Sequence, residues 1–131
     1  TMQKDTLYTN KAPEPIGPYS QAIKLSWDAK QLIYTSGQLS IDPETNEFIN
    51  GNIKEQTKRV LDNISTILHE AGSDLKRVIK TTIFIKHMTD FPEVNEVYAE
   101  YFGESKPARS TVGVQRLPKD ALIEIEVIAY I

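Results

Sequence analysis

The chain contains no cysteine, which removes disulfides and thiolate metal sites from consideration and fits a reducing, cytoplasmic home. It has two histidines, His69 and His87, far apart and without a Cys, His or HExxH-type partner at ligand spacing, so no metal is expected. No nucleophile-elbow motif and no Gly-rich phosphate loop occurs, which leaves covalent serine chemistry and nucleotide binding without support. No apolar run approaches the roughly 18 residues of a membrane span, and the first residues lack the charged end and apolar stretch of a secretory signal. Basic excess is missing as well. Fifteen Lys+Arg stand against 18 Asp+Glu for a net charge of −3, with the cations scattered, so nucleic acid is not an expected partner.

What is present fits one domain over residues 1–131, long enough to bury most of the surface that an unfolded chain exposes. Ile23, Leu25 and Trp27 alternate within Ala22–Trp27, and Leu32–Gln38 follows after a short polar turn, which predicts an early hairpin. From Ile53 the apolar residues Val60, Leu61, Ile64, Ile67 and Leu68 follow helical spacing, with Asn52 and Glu55 placed as a capping box and Gly72 as the stop. Val78–Met88 is rich in Ile, Thr, Val and Phe and predicts an interior strand. A shorter helix is expected from Phe91 to Phe102, opened by Asp90 with Pro92 in its first turn. Two strands, Arg109–Val114 and Ala121–Ile131, close an α+β order β-β-α-β-α-β-β with two helices on one face of the sheet. The last strand is apolar on both faces: Ile123, Ile125, Val127, Ala129 and Ile131 on one, Leu122, Ile128 and Tyr130 with Glu124 and Glu126 on the other. Two helices cover one face only, so the second face predicts self-association.

The segment Lys106-Pro107-Ala108-Arg109-Ser110-Thr111 carries the candidate chemistry together with Glu124. An arginine after a rigid proline offers a planar fork of donors suited to a carboxylate, although a single arginine in an arbitrary protein is more often a surface cation. Glu124 and Glu126 share a strand face with apolar neighbours. They read either as solvated positions of an amphipathic strand or as carboxylates whose pKa is raised by desolvation toward the working pH of a general base. Tyr19 follows the turn Gly17-Pro18, and its ring belongs in a cleft or at a core rim. Ser36 at the end of the second strand and Asn95 on the short helix are residue types that commonly cap backbone groups.

These landmarks resemble the RidA family, also called the YjgF family, across nearly the whole chain. The matching stretches run from Ile16-Gly17-Pro18-Tyr19-Ser20-Gln21 and Thr35-Ser36-Gly37-Gln38 through Gln56-Thr57 and Leu61-Asp62-Asn63 to Pro107-Ala108-Arg109-Ser110, Leu117-Pro118-Lys119-Asp120 and Ile123-Glu124-Ile125-Glu126. The resemblance implies a chorismate-mutase-like fold, a homotrimer with ligand sites between subunits, and an enamine/imine deaminase that needs no cofactor. Its substrates would be imines such as 2-aminoacrylate and 2-aminocrotonate, and its products 2-keto acids and ammonia. It further implies that Arg109 clamps the substrate carboxylate with help from the backbone N–H groups of Gly37 and Thr111. Glu124 would activate water, Tyr19, Ser36 and Asn95 would lie in the site, and Glu126 is read as structural. Where many members carry a cysteine two residues after the arginine, this chain has Thr111, which keeps a backbone contact and loses the thiol. The stretch Ser26–Gln31 is longer than in close relatives and is expected to lengthen a surface turn. Two rivals use the same residues or family: a regulatory module that holds a 2-keto acid, and a ribonuclease or translation inhibitor.

Overall fold

A computed structural model describes residues 1–131. Eight regular elements follow one another: β1 (Gln3–Leu7), β2 (Ala22–Trp27), β3 (Lys30–Thr35), α1 (Ile53–Glu70), β4 (Val78–Ile85), α2 (Phe91–Phe102), β5 (Ala108–Gly113) and β6 (Ile123–Tyr130). The strands form one sheet in the order β1-β2-β3-β6-β4-β5. Only β4 and β5 run parallel, because α2 carries the chain back across the sheet between them.

The expected α+β order holds with one addition. Gln3-Lys4-Asp5-Thr6-Leu7 has no apolar alternation, yet it pairs antiparallel with β2 from Gln3↔Ser26 to Leu7↔Ala22. Its backbone hydrogen bonds, and Leu7 packed on the core, make a strand out of a segment whose side chains do not announce one. Charged side chains suit this position, since they blunt an otherwise open sheet edge.

The long surface turn expected at Ser26–Gln31 is not found, because Ser26, Trp27, Lys30 and Gln31 all belong to the strands. β2 and β3 pair as far as Trp27↔Lys30, and only Asp28 and Ala29 connect them, both left-handed at φ 45° and 61°. Two positive-φ residues match the twist of a hairpin, and this chain makes that turn without glycine.

Helix α1 begins as the capping box requires. The Asn52 side chain accepts from Glu55 N at 2.9 Å, and Glu55 returns the contact to Asn52 N at 3.0 Å. Past its last turn, Gly72 takes φ 92°, where a side chain would be strained. Val60, Leu61, Ile64, Ile67 and Leu68 are buried against Ile33, Ile83, Ile125 and Val127 of the sheet. Each such side chain contributes about 1.5–3 kcal/mol of burial. At α2 the reading needs a correction. Asp90 adopts αR geometry in a short 3-10 turn, and its side chain caps nothing, so Pro92 and the preceding turn set the start.

Both helices lie on one face, over Ile83, Ile85, Ile123, Ile125, Val127 and Ala129. The opposite face carries Leu25, Leu32, Tyr34, Phe84, Ile128 and Tyr130 in register across the strands and no element of this chain covers it. Tyr34 and Tyr130 are 43% and 46% exposed there. No helix is long and apolar enough to cross a membrane.

Candidate active site

Strand alternation sorts the predicted site residues into two groups. In β6, Ile123 and Ile125 point into the core, so Glu124 between them faces the uncovered side, paired with Phe84 of β4. In β5, Arg109 pairs with Thr81 and Thr111 with Ile83. Thr81 and Ile83 are fully buried beneath the helices, so Arg109 and Thr111 point to the helix side. Within one chain the arginine and the glutamate therefore lie on opposite faces of the sheet, with β4 between their strands.

Glu124 lines a cavity of about 520 Å³ together with Tyr19, Ser36, Gly37, Ile41 and Lys119. Its carboxyl is half-buried and held above the usual carboxylate range, first by loss of solvent and second by the charge of Glu126. Glycine at position 37 is a matter of space. A Cβ added there would sit 2.7 Å from the Glu124 carboxyl carbon and 3.0 Å from its Cγ, so the carboxylate rests against bare backbone. The bridge between Gln38 and Ile125 fixes that approach, with Gln38 N donating to Ile125 O at 2.8 Å.

Tyr19 borders the cavity and is half exposed, which places its ring in the cleft and not in the core. The Ser36 hydroxyl donates to Ser20 O at 2.5 Å and its N–H to Gln21 O at 2.9 Å, so Ser36 ties the cavity wall together with the donors it has.

Three buried amides hold the walls, a role not read from the sequence although the residues stood among its landmarks. Gln21 donates to Thr9 O and Pro13 O, both at 2.9 Å, and accepts from Thr9 N at 2.7 Å, pinning the segment that carries Pro13. Asn63 of α1 donates to Ile41 O at 2.9 Å. Gln56 accepts from Leu122 N at 3.0 Å, two residues before Glu124, and donates to Gly51 O at 3.0 Å. For Gln56 and Asn63 the available signal was an amide on the largely apolar buried stripe of α1, since such a group must find partners, whereas Gln21 lies just before β2 and carried no such signal.

The second group is a cradle for the guanidinium. Arg109 Cζ lies 5.1 Å from the Phe91 ring centre and 4.8 Å from that of Tyr98, and Nη1 donates to Asn95 Oδ1 at 2.7 Å. Tyr98 is locked in turn by a 2.8 Å hydrogen bond with Thr81. Asn95 thus touches the arginine and not the Glu124 cavity. Thr111 Oγ1 is buried without a hydrogen-bond partner. Both aromatic faces and the amide oxygen fix the cation and leave the remaining donors of its fork exposed at the sheet edge. No cluster of His, Cys, Asp or Glu able to hold a metal is present.

Comparison with known proteins decides the family. The pattern of the family described as Endoribonuclease L-PSP matches residues 9–131. The chain belongs to this family, the RidA family. A RutC family protein of Pyrococcus abyssi is 59% identical over 129 residues, covering 98% of both chains. A protein of Dermatophagoides farinae named 2-iminobutanoate/2-iminopropanoate deaminase is 41% identical over 128 residues, covering 98% of this chain and 97% of its own. Among solved structures, a Rid family protein of unknown function from Yersinia pestis superposes with a TM-score of 0.91 at 45% identity, covering 98% of this chain and all of that one. Within the RidA family, then, the uncovered sheet face, the Glu124 cavity and the Arg109 cradle belong to a fold whose members include a named imine deaminase.

Proposed function

We propose that this chain is a hydrolytic deaminase of reactive enamine/imine intermediates, taking 2-aminoacrylate, 2-aminocrotonate and their imine tautomers to 2-keto acids and ammonia. One observation carries the reading: a half-buried carboxylate with a raised pKa on the wall of a cavity, set against a glycine backbone. The imine carbon is already electrophilic, so the reaction needs an oriented water, a place for its proton and an anchor for the substrate carboxylate. Glu124 takes a proton from water as the oxygen bonds to C2. The starting imine is protonated, so the carbinolamine that results is neutral. It receives that proton on nitrogen, and the C–N bond breaks as the hydroxyl gives its own proton back to Glu124, so that ammonia leaves and the carbonyl forms.

The anchor is Arg109, and its place on the helix side of β5 means that it cannot reach the Glu124 cavity of its own chain. We assign the completed site to a homotrimer of about 44 kDa, three times 14.8 kDa, in which the Arg109 edge of one copy meets the Glu124 cavity of the next. The uncovered face with Leu25, Leu32, Tyr34 and Tyr130 supplies the apolar surface for that association. Gly37 and Thr111 contribute backbone donors. Light scattering that finds a stable monomer at micromolar concentration would refute the shared site.

The decisive experiment supplies a pyridoxal-phosphate-dependent threonine or serine dehydratase, which makes the imine in situ, and follows ammonia and keto-acid release. Acceleration by this protein is expected. Tight binding of 2-ketobutyrate without acceleration would favour a regulatory module instead. Against an RNA-cleaving role stand the net charge of −3 and the two carboxylates, Glu14 and Glu124, that line the cavity, since a polyphosphate backbone would be repelled there.

A further inference from the structure

We propose that Lys119 is the cation that draws the anionic substrate into the Glu124 cavity, a steering role that rests on the deaminase reading of that cavity. Lys119 is the only lysine or arginine lining it, against the two carboxylates Glu14 and Glu124. An imino acid carries a carboxylate of its own, and on this chain's wall Lys119 alone offsets Glu14 and Glu124 before that carboxylate reaches the Arg109 supplied by the neighbouring copy. Lys119 forms no ion pair. Its neighbour Asp120 is taken by Arg116, whose Nη2 donates at 2.8 Å, and the Glu14 carboxylate accepts from the Tyr8 hydroxyl.

The backbone adds a second line of argument. Lys119 and Asp120 are both left-handed, at φ 59° and 53°, a conformation that glycine or asparagine adopts more cheaply. The turn is braced on either side: Asp120 N donates to Leu117 O and Ala121 N to Pro118 O, both at 3.1 Å, while Gln56 pins Leu122. A lysine held in a strained turn at the rim of a cavity, where glycine would relieve the strain, points to a use for the side chain.

The role is electrostatic and at a distance, so it is screened by salt: the Debye length shrinks from about 10 Å at 0.1 M to about 3 Å at 1 M. In the intact protein, Lys119→Gln is expected to lower kcat/KM for the imine about 3- to 10-fold at low ionic strength, with the loss in KM, and to match wild type near 1 M salt. Lys119→Arg should restore the wild-type value. Lys119→Gly should show the same kinetic loss as Lys119→Gln while melting no lower than wild type, which a purely structural turn residue would not do. Calorimetric affinity for 2-ketobutyrate should follow the same salt pattern and requires no turnover, so steering and deamination can fail separately. Equal KM and equal 2-ketobutyrate affinity for Lys119→Gln and wild type at low salt, or a loss unchanged by salt, would overturn the proposal.

Discussion

Arg109 and Glu124 are the two charged groups assigned to the proposed site, and the structure treats them in opposite ways. Arg109 sits on an exposed edge strand, where two aromatic rings and an amide fix its geometry without removing it from water. Glu124 sits on an interior strand, where burial removes part of its solvent and raises its pKa. A cation meant to hold a carboxylate gains from rigid presentation, because less ordering is left to the binding step. A carboxylate meant to exchange protons gains from a pKa nearer the working pH. Under the proposed function one serves binding and the other chemistry, and they stand on opposite faces of the same sheet.

If that division is real, Glu124→Gln should break the chemistry alone. Removing a positioned general base lowers turnover about 10²- to 10⁴-fold, while affinity for 2-ketobutyrate, measured by calorimetry, should change little. Glu126→Gln should be milder, since Glu126 is exposed and acts on Glu124 only through its charge. Stability adds a second readout with the opposite sign. A carboxyl whose folded pKa lies above its unfolded value keeps its proton longer in the native state, so stability falls as pH rises through the interval between the two. The neutral Glu124→Gln variant has no such titration. Denaturant midpoints at pH 4 and pH 8 should show wild type losing ground relative to this variant as pH rises.

Arg109→Ala should break the other half. Loss of a bidentate charged contact costs about 3–4 kcal/mol of carboxylate binding, which corresponds to about 10²- to 10³-fold in 2-ketobutyrate affinity, with the fold intact. Arg109→Lys keeps the charge and loses the fork, so it should recover only a part. Should both variants bind as wild type does, the anchor lies elsewhere and the shared-site assignment falls with it.

The sequence carried the parts of this division unequally. Helix α1 was legible because its cap, its apolar spacing and its stop agree, and the face of Glu124 followed from alternation with Ile123 and Ile125. The face of Arg109 was not legible. Ala108–Gly113 is exposed at five of its six positions, and an edge strand without buried alternation gives no sign of which side chains point toward the helices. β1 escaped for a related reason, being held by backbone pairing that leaves no mark on the side-chain pattern. Asn95 was read as a contact for substrate, and its placement depends on where α2 crosses β5, which is tertiary information.

Gly37→Ala sharpens the Glu124 side. The new methyl would collide with the end of a side chain and not with backbone, so the carboxylate can move aside and stability should fall by no more than about 1 kcal/mol. Activity should still drop, on the order of 10-fold, because a small displacement of a catalytic group is costly. The paired measurement is thermal melting and imine turnover. Unchanged turnover would show that the Glu124 carboxylate does not need its place against residue 37.

The smallest effect belongs to Asn95, and its value lies in the order of two variants. Asn95→Ala removes one hydrogen bond from Arg109 and leaves the Phe91 and Tyr98 rings in place, so 2-ketobutyrate affinity should weaken about 3- to 5-fold, as expected for the loss of one exposed contact of under about 1 kcal/mol. Asn95→Asp keeps the oxygen and adds a negative charge. An aspartate there would pair with the guanidinium and compete with the substrate carboxylate for the same fork, so affinity should fall further than in Asn95→Ala. Its grip should also weaken as the new carboxyl takes up a proton, at a pH below the usual aspartate range because the guanidinium beside it holds that pKa down. A group that touched substrate directly through its amide N–H would give a different order, because alanine would then remove the contact outright while Arg109 stayed free. Calorimetry with both variants at pH 7 distinguishes the cases: Asn95→Ala binding more weakly than Asn95→Asp would take Asn95 out of the arginine's support and return it to the substrate.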